Sequence, residues 1–400
     1  MGKAWGTWLA VGLACMAPAA QACRVGPSAE RVAPGIERIA LGAMAGRDAS
    51  WARVPVANDA LPASSLQRRV VGTDCVSTFS DGSAYAFEVA FEGDKHFRLT
   101  LDPRDRIYAL GDKAGPLDRR GRVFTLWNTD AYGWDAARDP LYKSIPFVLV
   151  LRDGNAFGIF VDDTGRTTFD VGKTDPSALT ITGADALDVY VIAGPTPRDV
   201  LLRYTALTGR TPLPPKWALG FQQSRYTYLP EARVREVAST LRAHRIPADG
   251  LWFDIGFQDA NKPFTVDRKA FPDFAGMLGD LRTQGFHAVL ITDLHIAKQR
   301  GYAPYETGKA IDAFVQRNGA DYVGKVWPGD SVFPDFSRAQ VRDWWGGLYT
   351  DFVRMGAAGF WNDMNEPSVF DGPGGTMPDD VVHRLDDGST RTHARMHNVY

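Results

Sequence analysis

The chain has 400 residues, with 45 Lys and Arg against 47 Asp and Glu, so its formal net charge is only −2. That near balance, without a basic block or an acidic tail, argues against nucleic acid and membrane surfaces as partners. The length exceeds one ordinary hydrophobic core and predicts two domains.

Residues 1–22 read as an export signal. Lys3 supplies positive charge, Trp8 to Met16 a short apolar region, and Ala20-Gln21-Ala22 a small-residue cleavage site. The apolar stretch is too short for a stable bilayer anchor. The mature protein is therefore expected to be exported, periplasmic or secreted, and free of the membrane once the signal is removed. Cys23 and Cys75 would remain. They either form a disulfide that ties the mature N-terminus to the first domain or stay apart as small hydrophobes, and the sequence leaves both open.

From about Ser64 to Ile192 apolar residues recur at every second position. Tyr85, Phe87, Val89 and Phe91 share one face, as do Phe147, Leu149 and Leu151 on a second candidate strand. Phe157, Ile159 and Val161 follow after Asp153-Gly154-Asn155, and Leu187, Val189 and Val191 form another run. Period-two runs broken by Gly, Asp and Pro predict an antiparallel β-sandwich. A short helix is expected from Arg198 to Leu207, and Thr211 to Pro215 reads as a linker.

Beyond the linker the period changes. Trp217 to Phe221 is a short apolar run, and Pro230 opens a helix with Val234, Val237 and Leu241 on one face, stopped by Pro247. Leu251 to Ile255 and Ala288 to Ile291 are expected as buried strands, with a helix marked by Phe274, Leu278 and Leu281 between them. A helix carrying Val341, Trp344, Leu348, Phe352 and Met355 precedes a last strand that ends in Asp363. This alternation predicts a parallel α/β layout, barrel or doubly wound.

Each candidate strand of this second half ends in polar groups. The first yields Gln222, Gln223, Ser224 and Arg225; the second Asp254, with Asp259 nearby. The third yields Asp293 and His295, the fourth Asp363 and Glu366. The fourth is the densest, because GFWNDMNEPS sets two carboxylates and two amides directly behind Phe360 and Trp361. Parallel barrels present catalytic groups in this way, at the C-terminal ends of their strands. The competing reading is a helix start, with Asn or Asp capping and Pro367 in the first turn. Several acids around one mouth suit a neutral polyhydroxylated ligand, with an Arg donating and a Trp or Phe covering the apolar sugar face. A divalent cation ranks lower, since no Asp-x-Asp loop or ligand-spaced His pair accompanies the acids. His393 and His397, four residues apart, read as solvated or capping residues. No dinucleotide, Walker or Gly-x-Ser-x-Gly motif is present.

WNDMNEPS at Trp361–Ser368 resembles the nucleophile signature of glycoside hydrolase family 31, in its α-glucosidase branch. PPKWALGFQQSRYTY from Pro214 is similar to that family's first barrel strand, GLWFDIGFQD from Gly250 to its second, and GKVWPGDSVFPDF from Gly324 to its loop over the sugar. HARMHNVY, ending at Tyr400, is similar to the start of the helix after the fourth strand; LWNTDAYGW and IPFVLVLRDGNAFGIFVDD resemble its sandwich domain. With residues 1–22 read as the signal, the resemblance implies an N-terminal β-sandwich domain over 23–208, and over 209–400 the first part, the N-terminal half, of a TIM-type (β/α)8 barrel.

The same resemblance implies a role for each matched residue. Asp363 would be the nucleophile of a retaining mechanism and Glu366 would support it. Asp254, Asp293 and Trp327 would hold the terminal glucose, and Asp130 would reach in from the sandwich. Arg225 and His295 complete the expected substrate-binding set. The family's acid/base Asp lies after the fifth or sixth strand, so a longer enzyme is expected. Two departures bear on substrate preference: DIGFQD, where a larger residue and a Met are usual before the last Asp, and TDLHIAK, where a Pro usually follows the Asp. The expected activity is release of glucose from α-linked glucosides. α-Transglucosylase or α-glucan lyase chemistry on the same fold, or a carbohydrate-binding fragment without catalysis, are the alternatives. No cofactor is implied, and the oligomeric state is left open.

Overall fold

The computed structural model describes residues 28–40, 67–71, 76–80, 89–92, 96–183 and 187–400. The expected export signal, Cys23, Cys75, Tyr85 and Phe87 lie outside these residues.

Alternation in the first half produces two antiparallel sheets. One runs in the spatial order Ser28–Ala33, Ile36–Ala40, Asp188–Ala193, Asn155–Val161, Ser144–Arg152 and Arg106–Gly111. The other runs Gln67–Val71, Val76–Ser80, Val89–Glu92, His96–Thr100, Ala178–Thr182, Thr167–Val171 and Arg122–Leu126. Their inner faces share one core, in which Phe157, Ile159, Val161, Val189 and Val191 meet Phe97, Leu99, Phe169 and Ile181. On Ser144–Arg152 the core residues are Val148 and Val150 instead of the expected Phe147, Leu149 and Leu151. Those three face outward and pack with Tyr204 of the helix Pro197–Thr208, so this strand is apolar on both sides. The helix begins at a capping box in which Thr196 and Asp199 satisfy each other's backbone N–H groups.

The second half builds a parallel sheet of four strands, β1 (Gln222–Gln223), β2 (Gly250–Phe253), β3 (His287–Asp293) and β4 (Gly359–Asp363), in that spatial order. The helix Glu231–Ala243 lies between β1 and β2, and Phe274–Thr283 lies between β2 and β3. β3 is buried at six of its seven positions, which matches a strand covered on both faces. β4 is half-buried at most of its positions. β1 is shorter than its apolar run suggested: Lys216–Leu219 is a 3-10 turn, and Leu219 and Phe221 are exposed. The expected long helix before β4 is two helices, Ala339–Leu348 and Thr350–Met355, that meet at Tyr349. Phe257, Phe274, Leu278, Leu281 and Phe352 form the core between helices and sheet.

Above the C-terminal ends of the strands sits a layer of short antiparallel strands from the segment between β3 and β4 and from the segment after β4. Its core joins Leu294, Val326, Phe333, Met364 and Val369. No helix among the described residues is long and apolar enough to cross a membrane.

Candidate active site

The motif Gly359–Ser368 is a strand end. β4 closes on Asp363, and a turn follows it, so the helix-start reading fails. The parallel register places Asp363 directly beside Asp293 of β3, at the separation of neighbouring strands, about 4.8 Å. Asp363 Oδ1 accepts the Met364 N–H at 2.8 Å. Met364 holds a left-handed backbone, φ 64°, which a side chain of this size adopts only when its surroundings enforce it. Here the buried Met364 side chain packs with Leu294 and Val369 and supplies that enforcement.

Asp254 stands at the end of β2 and caps the turn Ile255–Phe257, its Oδ1 accepting the Ile255 N–H at 2.7 Å. Glu366 Oε2 accepts the Ser368 hydroxyl at 3.0 Å. Asp293 is wholly buried, and neither of its oxygens has a hydrogen-bond partner among the described residues. His295 is equally buried and equally unpartnered, with Nε2 3.6 Å from Asp293 Oδ2, beyond hydrogen-bond range. Trp361 Nε1 and Asn365 Oδ1 are further buried atoms without partners. A core does not keep so many unsatisfied polar atoms without a reason, and a polar ligand or water at this mouth is the direct one.

Electrostatics describes the same cluster. Burial, then the charges of Asp363, Asp254 and Glu366, push Asp293 up to about 8. Burial also raises Asp363, with Asp130 adding to the shift and the Met364 N–H opposing it. Asp254 is raised by burial and then by Asp363, against the Ile255 N–H. Glu366 is raised by burial, with Asp130 and Asp363 contributing against its hydrogen bonds. Burial lowers His295 to about 3. At neutral pH Asp293 therefore carries a proton and His295 none. Asp293 can then donate one hydrogen bond and accept others, as a sugar hydroxyl also does.

Four of the sequence-predicted residues, Asp254, Asp293, Asp363 and Glu366, thus act on one another at one mouth, and His295 stands beside Asp293. Asp130 joins them from the sandwich, since its charge is felt by both Asp363 and Glu366. Tyr142, which no sequence signal marked, is raised by burial and by the same Asp130. Trp327 sits between the strands Gly324–Val326 and Gly329–Val332, 44% exposed, edge-on to Phe370 at 4.8 Å between ring centres. Arg225 is not brought to the acids. Its guanidinium lies 5.7 Å from the Tyr228 ring centre, in a surface groove with Arg233 and Glu236. Asp259 is likewise outside the cluster, paired with Lys262 at 2.9 Å. Among the described residues no group of three or more His, Cys, Asp or Glu is arranged to hold a metal ion.

A family profile described as the glycosyl hydrolases family 31 TIM-barrel domain matches residues 211–400. A second, described as the glycosyl hydrolase 31 N-terminal galactose mutarotase-like domain, matches residues 63–170. Alpha-glucosidase 2 of Bacillus thermoamyloliquefaciens is 46% identical over 313 residues, 78% of this chain and 39% of that protein. The alpha-glucosidase of Saccharolobus solfataricus is 35% identical over 321 residues, 75% of this chain and 46% of that protein. Among solved structures, a family 31 dextranase of Flavobacterium johnsoniae, complexed with glucose, superposes with a TM-score of 0.78 at 25% identity. That match covers 93% of this chain and 48% of the dextranase chain. A family 31 alpha-glucosidase from Bacteroides thetaiotaomicron gives a TM-score of 0.64 at 37% identity, over 70% of this chain and 48% of that one. The chain spans less than half the length of each of these relatives.

Proposed function

The chain belongs to glycoside hydrolase family 31, and from that premise we propose that it is the nucleophile-bearing part of an exported retaining glycosidase that releases glucose from α-linked glucosides. The four parallel strands are then the N-terminal half of a (β/α)8 barrel. The observation that carries the reading is Asp293: wholly buried, without a partner among the described residues, and set beside three other carboxylates at one strand-end mouth. A hydroxylated ring supplies the donors and acceptors these groups lack. The named activities of the relatives, alpha-glucosidases and a dextranase, support an α-glucoside as substrate.

In this mechanism Asp363 attacks the anomeric carbon as the bond to the leaving oxygen breaks, and a glycosyl ester forms on its carboxylate. The leaving oxygen takes a proton from a general acid, which the family resemblance puts on a later strand beyond these 400 residues. Water then attacks the same carbon, gives its proton to that residue, and releases Asp363 with the anomeric configuration retained. Asp254 and Asp293 hold ring hydroxyls, His295 lies behind Asp293, and Glu366 stays behind the nucleophile. Trp327 covers the apolar sugar face and Asp130 closes the mouth from the sandwich.

The full-length gene product treated with 5-fluoro-α-glucosyl fluoride should carry its label on the peptide containing Asp363. Asp363→Ala should lower kcat by about three orders of magnitude or more while substrate binding persists. A label on another residue, or near-normal turnover in the variant, rejects the assignment. Product chromatography separates hydrolysis from transfer to a second sugar and from elimination to an anhydro sugar.

A further inference from the structure

His383, His393 and His397 are fully buried and joined end to end. His383 Nδ1 lies 3.1 Å from Asp335 Oδ1, and His383 Nε2 lies 3.0 Å from His393 Nδ1. His393 Nε2 is 3.1 Å from His397 Nδ1, and His397 Nε2 is 2.7 Å from the backbone oxygen of Asn128. The chain of contacts crosses from the layer above the barrel strands into the sandwich. Two residues beyond its last acceptor stands Asp130, whose charge acts on Asp363 and Glu366. The expectation that His393 and His397 are solvated or cap a helix is overturned. Both are buried in 3-10 turns, with the His397 ring stacked on Trp127 at 3.6 Å.

A proton count follows from the two ends. The Asn128 carbonyl accepts only, and an ionised Asp335 accepts only. Four junctions need four protons, but three neutral imidazoles carry three. With three, one buried junction would set lone pair against lone pair. We infer that the three rings share four protons, with the extra charge on His383 beside Asp335, and that this charged strap positions the Asp130 loop at the mouth. The role assigned to the loop rests on the glycosidase reading; the proton count does not.

The groups packed around the relay put the charge at the same end. Asp335 Oδ2 accepts the Arg384 N–H at 2.7 Å, and Oδ1 accepts the Ser337 hydroxyl at 2.6 Å. Burial pushes Asp335 up, but His383 and these donors outweigh it and hold the carboxyl below its ordinary value. The Arg384 guanidinium is taken up by Asp312. At the other end Arg166 lies 4.1 Å over the Trp127 ring and disfavours a second cation on His397. Burial, then the neighbouring rings, lowers His393, and burial lowers His397 to about 4. Arg395 faces Asp163 at 3.4 Å. The Tyr400 ring packs on His383 and His393 while its hydroxyl donates to the Pro334 carbonyl, outside the relay. Asn398 locks the same junction, with its Oδ1 accepting the Asn128 N–H and its amide donating to Leu126 and Gly165.

The full-length protein labelled with 15N-histidine tests the count directly. At neutral pH, two-bond proton–nitrogen spectra should show His383 protonated at both nitrogens, and His393 and His397 neutral with the proton on Nε2. Three neutral rings, or the charge on either other ring, overturn the inference. A matched pair of variants tests the positioning role. A Gln side chain offers one donating and one accepting end, as a neutral ring does, so His393→Gln should leave the KM for maltose within about twofold. It cannot donate at both ends, so His383→Gln should raise that KM about tenfold with kcat little changed, the loss of one charge-assisted contact. Equal effects of the two variants overturn the role. If the unmodified protein does not turn over maltose, the glycosidase reading is what fails, and the ring spectrum alone decides the strap.

Discussion

Replacing Asp293 by Asn should make this protein more stable and less active. The carboxyl titrates near 3.8 when unperturbed and is pushed to about 8 in the fold. The unfolded chain therefore ionises it above about pH 4, whereas the folded chain keeps the proton until about pH 8. Between those values folding must take up a proton, and each pH unit costs about 1.4 kcal/mol. At pH 7 this amounts to roughly 4 kcal/mol, and solvent reaching the mouth lowers it to about 2–4 kcal/mol. The sign follows from the raised value: the group's contribution is fully present below about pH 4 and is lost as pH rises to about 8. An amide of the same shape never ionises, so Asp293→Asn removes the cost. Guanidinium unfolding of both proteins at acid, neutral and mildly alkaline pH measures it. The variant should match the original near pH 4 and exceed it by about 2–4 kcal/mol at pH 7, and by more near pH 8. A difference that stays flat across pH, or a variant less stable at alkaline pH, refutes the reasoning. Activity should fall, because a site that strains its own carboxylate exchanges stability for function.

His295 titrates in the opposite sense. Burial lowers it from 6.5 to about 3, so its contribution is present above about pH 6.5 and is lost as pH falls toward about 3. Melting temperatures of the original and of His295→Asn between pH 7 and 4 should diverge, the variant losing less on acidification; parallel curves would contradict this. Phe257 is buried and stacked on Phe274 at 5.4 Å between ring centres, with Phe253 and Phe352 edge-on. Phe257→Ala should cost about 3–5 kcal/mol in chemical unfolding, and a loss below about 1 kcal/mol would mean that the cluster contributes little. A Cβ on Gly158 would stand 2.7 Å from Phe147 Cε2 and 2.9 Å from Val200 Cγ1. Gly158→Ala should therefore destabilise the contact of the sandwich with helix Pro197–Thr208 by about 1–3 kcal/mol. An unchanged midpoint would show that this contact relaxes freely.

Much of the architecture was legible because two periods alternate cleanly along the chain. Phe157, Ile159 and Val161 point where a period of two sends them, and Phe274, Leu278 and Leu281 where a helix does. Phe147, Leu149 and Leu151 misled, since a strand covered by a helix on its outer face is apolar on both sides. Trp217 to Phe221 misled for a different reason: an apolar run reads as a strand whether or not a neighbour pairs with it. The acids Asp254, Asp293 and Asp363 were readable because each ends an apolar run. Arg225 shares that signal and faces Tyr228 instead, as spacing fixes where a strand ends but not where a flexible side chain reaches. The histidine relay was not readable. Its rings come from a strand and two short turns, and only packing shows that they touch.

Burial explains how one mouth can hold so many acids. Two carboxylates side by side on adjacent parallel strands cannot both ionise cheaply, so one of them must keep a proton. β3 is buried at six of its seven positions and Asp293 on it is wholly buried, whereas Asp363 is not, and this difference assigns the proton. Asp293, wholly buried and without a donor among the described residues, takes it at neutral pH; Asp363, less buried and given the Met364 N–H, is better placed to stay an anion. With Asp293 protonated, the proposed nucleophile meets no second anion on the adjacent strand. Ionising Asp293 would set a second anion beside it and weaken hydrogen bonding to sugar hydroxyls that act as acceptors. The rate should therefore fall as pH rises through about 8, and Asp293→Asn should remove that alkaline limb while lowering the plateau. A pH–rate profile of kcat/KM measures both, and an alkaline limb that persists unchanged in the variant would place the titrating group elsewhere.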